Sequence, residues 1–154
     1  MLSKNELREL NTEFWLDFKK LMSRTKSSSG KKINWLSYPT QIKNVYLRLE
    51  VTKSHVALNF DIQYKDETIR AVFWEQMEEL KKVLEDVMGK DGHWLVECYS
   101  DSVPVFSRIQ WKKDGLNYFN QTHKDEIFSF FKEKLIAFDS FYQNYKEILL
   151  FLAK

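Results

Sequence analysis

Two stretches of this chain alternate strictly between apolar and polar side chains. Val45, Leu47, Leu49 and Val51 are interleaved with Tyr46, Arg48 and Glu50. After Thr52-Lys53-Ser54-His55 the same period returns in Val56, Leu58, Phe60 and Ile62. A period of two fits a strand with one buried face, and so short a connection restricts the pair to an antiparallel hairpin. Setting Val51 against Val56 fixes the register, with Arg48 opposite Asn59 and Tyr46 opposite Asp61 on the outer face.

A second hairpin is read from Trp94, Val96 and Cys98 alternating with Leu95, Glu97 and Tyr99, and from Val105, Ile109 and Trp111 alternating with Phe106, Arg108 and Gln110. With the turn near Ser100-Asp101-Ser102, Leu95 faces Arg108 and Glu97 faces Phe106. The expected inward face is Val45, Leu47, Leu49, Val56, Leu58, Phe60, Trp94, Val96 and Ile109. After Lys113-Asp114-Gly115, Leu116–Asn120 is expected to add a fifth short strand.

Three segments carry a helical period instead. Ser3-Lys4-Asn5-Glu6 has the capping-box form, and Leu7, Leu10, Phe14, Phe18 and Leu21 follow at three- and four-residue steps, giving a helix over about 4–24. Asn11-Thr12 offers a second cap that could break it. Ile69, Phe73, Met77, Leu80, Leu84 and Val87 place a helix over about 68–88, closed by Gly89. Thr122-His123-Lys124-Asp125 opens the longest helix, whose stripe runs through Phe128, Phe131, Leu135, Phe138, Tyr142, Tyr145, Leu149 and Leu152. At about 30 residues it would span ~45 Å. That exceeds a compact domain of this length, so Phe141, Ile148 and Phe151 would need cover from the first helix or from a second copy. The expected fold is α+β, an antiparallel sheet of four to five strands in two hairpins with three helices, in the order α-ββ-α-ββ-α. The 154 residues, 44% hydrophobic and 16% aromatic, suffice for a single domain over 1–154.

Several function classes find no support. No run approaches the ~20 apolar residues of a membrane span. Met1 to Glu9 is too polar for a signal peptide, and a lone Cys98 on the inward strand face fits a reducing cytoplasm and an inert thiol. His55, His93 and His123 are scattered, so no metal site is expected. There is no Gly-x-Ser-x-Gly, no P-loop and no dinucleotide fingerprint, and hence no catalytic residue and no cofactor to assign. The outer sheet face gathers Arg48, Asn59, Asp61, Glu97, Tyr99, Arg108 and Gln110. These read as a pocket where Arg48 or Arg108 clamps an anion, or more simply as a solvated face with ion pairs worth ~0–1 kcal/mol each.

Charge is distributed unevenly. Residues 1–65 carry 12 Lys or Arg against 6 Asp or Glu, whereas residues 66–154 carry 12 against 16. Between Phe18 and Leu49 there are eight bases (Lys19, Lys20, Arg24, Lys26, Lys31, Lys32, Lys43 and Arg48) and no acid. The polar stretch 26–32 reads as a loop, and Ile33 to Pro39 as an extended piece. Bases interleaved with Trp35, Tyr38 and Tyr46 are the pattern of a surface that neutralises phosphates and stacks on unpaired bases. With Trp35 tucked beneath the loop, the same lysines would merely solvate it. The candidate ligand residues are Lys26, Lys31, Lys32, Trp35, Tyr38, Lys43, Arg48 and Arg108. The candidate partners are a nucleic acid or other polyanion, and a second copy or another protein along the last helix.

Phe14-Trp15 with Phe18, the stretch Ile33-Asn34-Trp35-Leu36-Ser37-Tyr38, Ser107-Arg108-Ile109 and the aromatic last helix resemble a bacterial family of domains of unknown function. The resemblance spans nearly the whole chain. Such domains often sit C-terminal to a restriction-nuclease-like module, so the resemblance implies a non-catalytic accessory domain standing without that module, in a defence-related setting. It brings no catalytic residues. The family pattern has Thr-Gly after the tyrosine, where this chain carries Pro39-Thr40-Gln41.

Overall fold

A computed structural model describes residues 2–154. Helix α1 spans Lys4–Met22. The Ser3 side chain accepts from the Glu6 amide while Glu6 reaches back to the Ser3 amide, as the capping box requires. Thr12 does not break the helix, because its hydroxyl bonds back to the Arg8 carbonyl. A 3₁₀ turn at Trp35–Ser37 precedes strands β1 (Val45–Val51) and β2 (His55–Ile62). Their register is the one the alternation predicts, with Val51 against Val56, Arg48 against Asn59 and Tyr46 against Asp61.

Helices α2 (Glu67–Glu79) and α3 (Lys81–Met88) occupy the segment expected to hold one helix. The break falls at Leu80, where ψ is 1° and the amide is shared between the Gln76 and Met77 carbonyls, tightening the turn. No glycine or proline marks it. Strands β3 (His93–Cys98) and β4 (Phe106–Asp114) follow, then α4 (Lys124–Leu152). The fold is thus α+β with four helices and four strands. All strand pairs are antiparallel in the order β1-β2-β4-β3, leaving β1 and β3 as edges.

Two expectations are corrected here. Leu116–Asn120 forms no strand. Its amides are occupied otherwise: that of Asn117 donates to His123, that of Phe119 to the Asn117 side chain and that of Tyr118 to the Thr52 carbonyl. The helix that follows is preceded by a 3₁₀ turn at Gln121–His123 capped by Asn120, so Thr122 is not its cap. The second hairpin also departs from simple alternation. Leu95 faces Arg108 as expected, but a bulge then sets Cys98, not Glu97, against Phe106. Val96, expected inside, is 56% exposed, and Cys98 moves to the face that carries Arg108.

One face of the sheet packs on α4. Phe138 is its hub, with its ring within 6.4 Å of Phe60, Trp111, Tyr142, Phe141 and Tyr38. Phe14 and Phe18 of α1 close on Phe128 and Phe131 at the other end of the helix. The 29 residues of α4 span about 43 Å. Phe141 is buried within the chain. Of the three residues expected to need cover, only Ile148 and Phe151 stay exposed. Phe138→Ala is expected to cost about 3–5 kcal/mol in urea unfolding, against under ~0.5 kcal/mol for Phe151→Ala.

Candidate functional site: a cationic face pinned from behind

The acid-free segment between α1 and β1 is anchored by a few buried side chains. Asn34 caps the 3₁₀ turn by accepting from the Leu36 and Ser37 amides. Trp35 is only 3% exposed, and its indole N–H donates to the Thr25 carbonyl at 2.8 Å. Tyr38 is also buried, donating its hydroxyl to Asp139 of α4 at 2.6 Å. Burial and the Asp139 carboxylate together push the Tyr38 phenol far above its ordinary value, so it remains a donor.

Asp139 itself is 1% exposed. It also accepts from the Ser27 hydroxyl at 2.9 Å, the Ser28 amide at 2.7 Å and the Gln143 side-chain amide at 3.3 Å. One turn further along α4, Tyr142 donates to the Thr40 carbonyl at 2.6 Å. The turn that follows holds Gln41 at φ 68° and Asn44 at φ 73°, left-handed backbone that glycine or asparagine adopts readily and glutamine rarely. Sequence reasoning missed Asp139. Its signal was a carboxylate four residues after Leu135, inside the buried stripe of a helix.

Trp35 and Tyr38 are therefore pegs beneath the segment and present no stacking surface to solvent. Lys19, Lys20, Arg24, Lys26, Lys31, Lys32, Lys43 and Arg48 are all exposed. None is in an ion pair; every Lys or Arg ion pair among the described residues uses Arg108, Lys112, Lys113, Lys124 or Lys134. Two clefts of about 430 Å³ each flank the 3₁₀ turn and meet at Leu36. Lys19 and Lys32 line one, and Tyr46 and Arg48 the other. No acidic residue lines either. Lys26, Lys31 and Lys43 lie on the same segment but line neither cleft.

Arg108 is not part of this face. Its guanidinium is held by the buried Asp61 through two bonds, Nε–Oδ1 at 2.7 Å and Nη2–Oδ2 at 2.9 Å, and lies 3.7 Å from Glu50. The bond to Asp61 holds it above the ordinary arginine range. Asn59 links the two ends of this network, donating to Glu50 and accepting from Gln110, and His55 bonds the other Glu50 oxygen at 2.6 Å. The Glu50–Asn59–Asp61–Arg108–Gln110 part of the outer sheet face is thus an internally satisfied network, while Arg48 on the same face is exposed and in no ion pair among the described residues. Burial pushes the nearby Cys98 thiol above its ordinary value, away from nucleophilic chemistry.

Burial raises the Glu50 carboxyl, but the hydrogen bonds from His55 and Asn59 and the neighbouring Arg108 outweigh that, so it titrates below its ordinary value. A depressed carboxyl stabilises the fold above its unfolded pKa of about 4.3, and the contribution disappears as pH falls through the folded value. Glu50→Gln is expected to be less stable than the parent at pH 7, by about 1 kcal/mol or less at this partly exposed site. Urea melts should show that gap closing between about pH 5 and pH 3.

Comparison with known proteins gives a family and nothing finer. No curated protein and no solved structure matches this chain. A family model described as a domain of unknown function matches residues 10–146. That match covers most of the chain, including most of α1, the pinned cationic segment, the whole sheet and most of α4, and the chain therefore belongs to the DUF4268 family of domains of unknown function.

Proposed function

We propose that this chain is a non-catalytic module that binds a polyanion on the cationic face of residues 19–48. The observation that carries this reading is the absence of counter-charge. Eight exposed bases occupy one segment without a single ion pair among the described residues, while five of the twelve bases of the second half (Arg108, Lys112, Lys113, Lys124 and Lys134) have carboxylate partners. Unpaired cations held on a fixed scaffold cost self-repulsion, which a polyanion relieves by releasing its condensed counterions. Lys19, Lys32 and Arg48 at the clefts would make the closest phosphate contacts, with Lys26, Lys31 and Lys43 extending the field. The defence-related setting rests on the family resemblance alone.

Association of two copies through the end of α4 is the second reading, favoured by exposed Phe151 (73%) and Ile148. It ranks lower because two apolar side chains fall far short of the ~20–30 residues per partner in a stable interface.

The test is a titration of a labelled abasic phosphodiester strand at low salt. Binding should weaken linearly in log–log form with salt, by about 0.7 per phosphate neutralised. Lys19→Ala with Lys32→Ala should flatten that slope by roughly 1.4. No binding at low salt, or an unchanged slope, would remove the reading.

A further inference from the structure

The cleft between the 3₁₀ turn and β1 offers more than charge. Arg48 sits with its guanidinium 4.1 Å above the Tyr46 ring, exposed and without a carboxylate partner. A planar cation on an aromatic ring is a surface on which a nucleobase stacks. Half-buried Trp15, itself stacked on Phe131, and Leu36 supply apolar walls.

The main chain adds a hydrogen-bonding edge. The Val45 amide donates to the Ile42 carbonyl, and the Val45 carbonyl accepts from the Thr40 hydroxyl, so both point away from β2. The Thr52 amide points toward β2, donating to His55. Successive residues of a strand alternate in this direction, so Leu47 and Leu49 also aim their N–H and C=O groups away from β2. β1 is an edge strand with no neighbour on that side, and both leucines line the cleft. The cleft therefore combines a stacking plane, apolar walls and an unpaired donor–acceptor edge, and at about 430 Å³ it has room for a single base.

We propose that this cleft holds an unpaired nucleobase, and that the polyanion bound by the cationic face is single-stranded nucleic acid. This rests on the polyanion reading and adds to it a site for the base. Phosphates on either side of the held base would run past Leu36 toward Lys19 and Lys32, which line the adjoining cleft.

Fluorescence anisotropy at low salt, using the full chain and two strands of about 12 nucleotides, one base-bearing and one abasic, tests it. The parent is expected to bind the base-bearing strand about 5- to 150-fold more tightly, the range that loss of one base stack spans. Arg48→Lys keeps the charge but loses the plane. It should abolish most of that margin, read as the ratio of the two affinities measured on the variant itself. Circular dichroism of the variant confirms that it is folded, and the comparison of the two strands on the parent chain needs no variant. Equal parent affinity for both strands, or a margin that survives Arg48→Lys, overturns the base site and leaves the polyanion reading standing. Failure of both strands to bind overturns both readings.

Discussion

A carboxylate in the middle of the longest helix organises this protein. Burying an ionised group costs several kcal/mol unless its lone pairs are satisfied. Asp139 has no cation within ion-pair distance among the described residues; neutral donors surround it instead. Three of those four donors come from Ser27, Ser28 and Tyr38, more than 100 positions away in sequence. The helix can therefore bury this group only if the segment after α1 folds back across it. Tyr142–Thr40 and Trp35–Thr25 add fixed points on either side. The consequence is electrostatic as well as structural. A segment with no acid of its own is fastened from beneath through neutral donors, so the fastening engages none of its five bases, Arg24, Lys26, Lys31, Lys32 and Lys43, and all five are exposed.

The sheet solves a second burial problem in a different way. β2 is buried on both faces over nearly its whole length, yet Asn59 and Asp61 face outward from it. Cross-strand pairing with β4 sets Asp61 beside Arg108 and Asn59 beside Gln110, so each buried polar group meets its partner in the ladder geometry itself. This ties up Arg108, one of the two arginines that an outer-face anion site could use. The two charged regions thus have opposite characters: the Glu50–Asp61–Arg108 network is internally paired and structural, whereas the bases before β1, and Arg48 at the sheet edge, are unpaired and open.

Much of the fold was legible because it depends on local periods. The β1–β2 register followed from alternation and a short turn, and the first cap followed from four residues. Departures arose where local pattern and nonlocal demand conflict. Nothing in Leu95–Cys98 signals the bulge that turns Val96 outward. The stretch 116–120 alternates plausibly, but its amides bond to the Asn117 and His123 side chains and to the Asn117 and Thr52 carbonyls instead of to a strand. The partnership of Asp61 with Arg108 depends on which hairpins adjoin, a tertiary fact. The cationic segment stood out in sequence, but its aromatic residues divide in a way that periodicity cannot show. Trp35 and Tyr38 are pegs, while Tyr46 lines a cleft. Asp139 could have been found, since an acid on the buried stripe of a helix requires partners.

The arrangement of the cationic segment depends on whether Asp139 holds it in place. Native-state hydrogen exchange of Asp139→Ala against the parent measures this residue by residue. The account predicts a selective loss of protection at amides 25–42, including that of Ser28, with the β2 and β4 amides still exchanging only through global unfolding. An unchanged pattern at residues 25–42, or a loss spread evenly over sheet and helices, would contradict it.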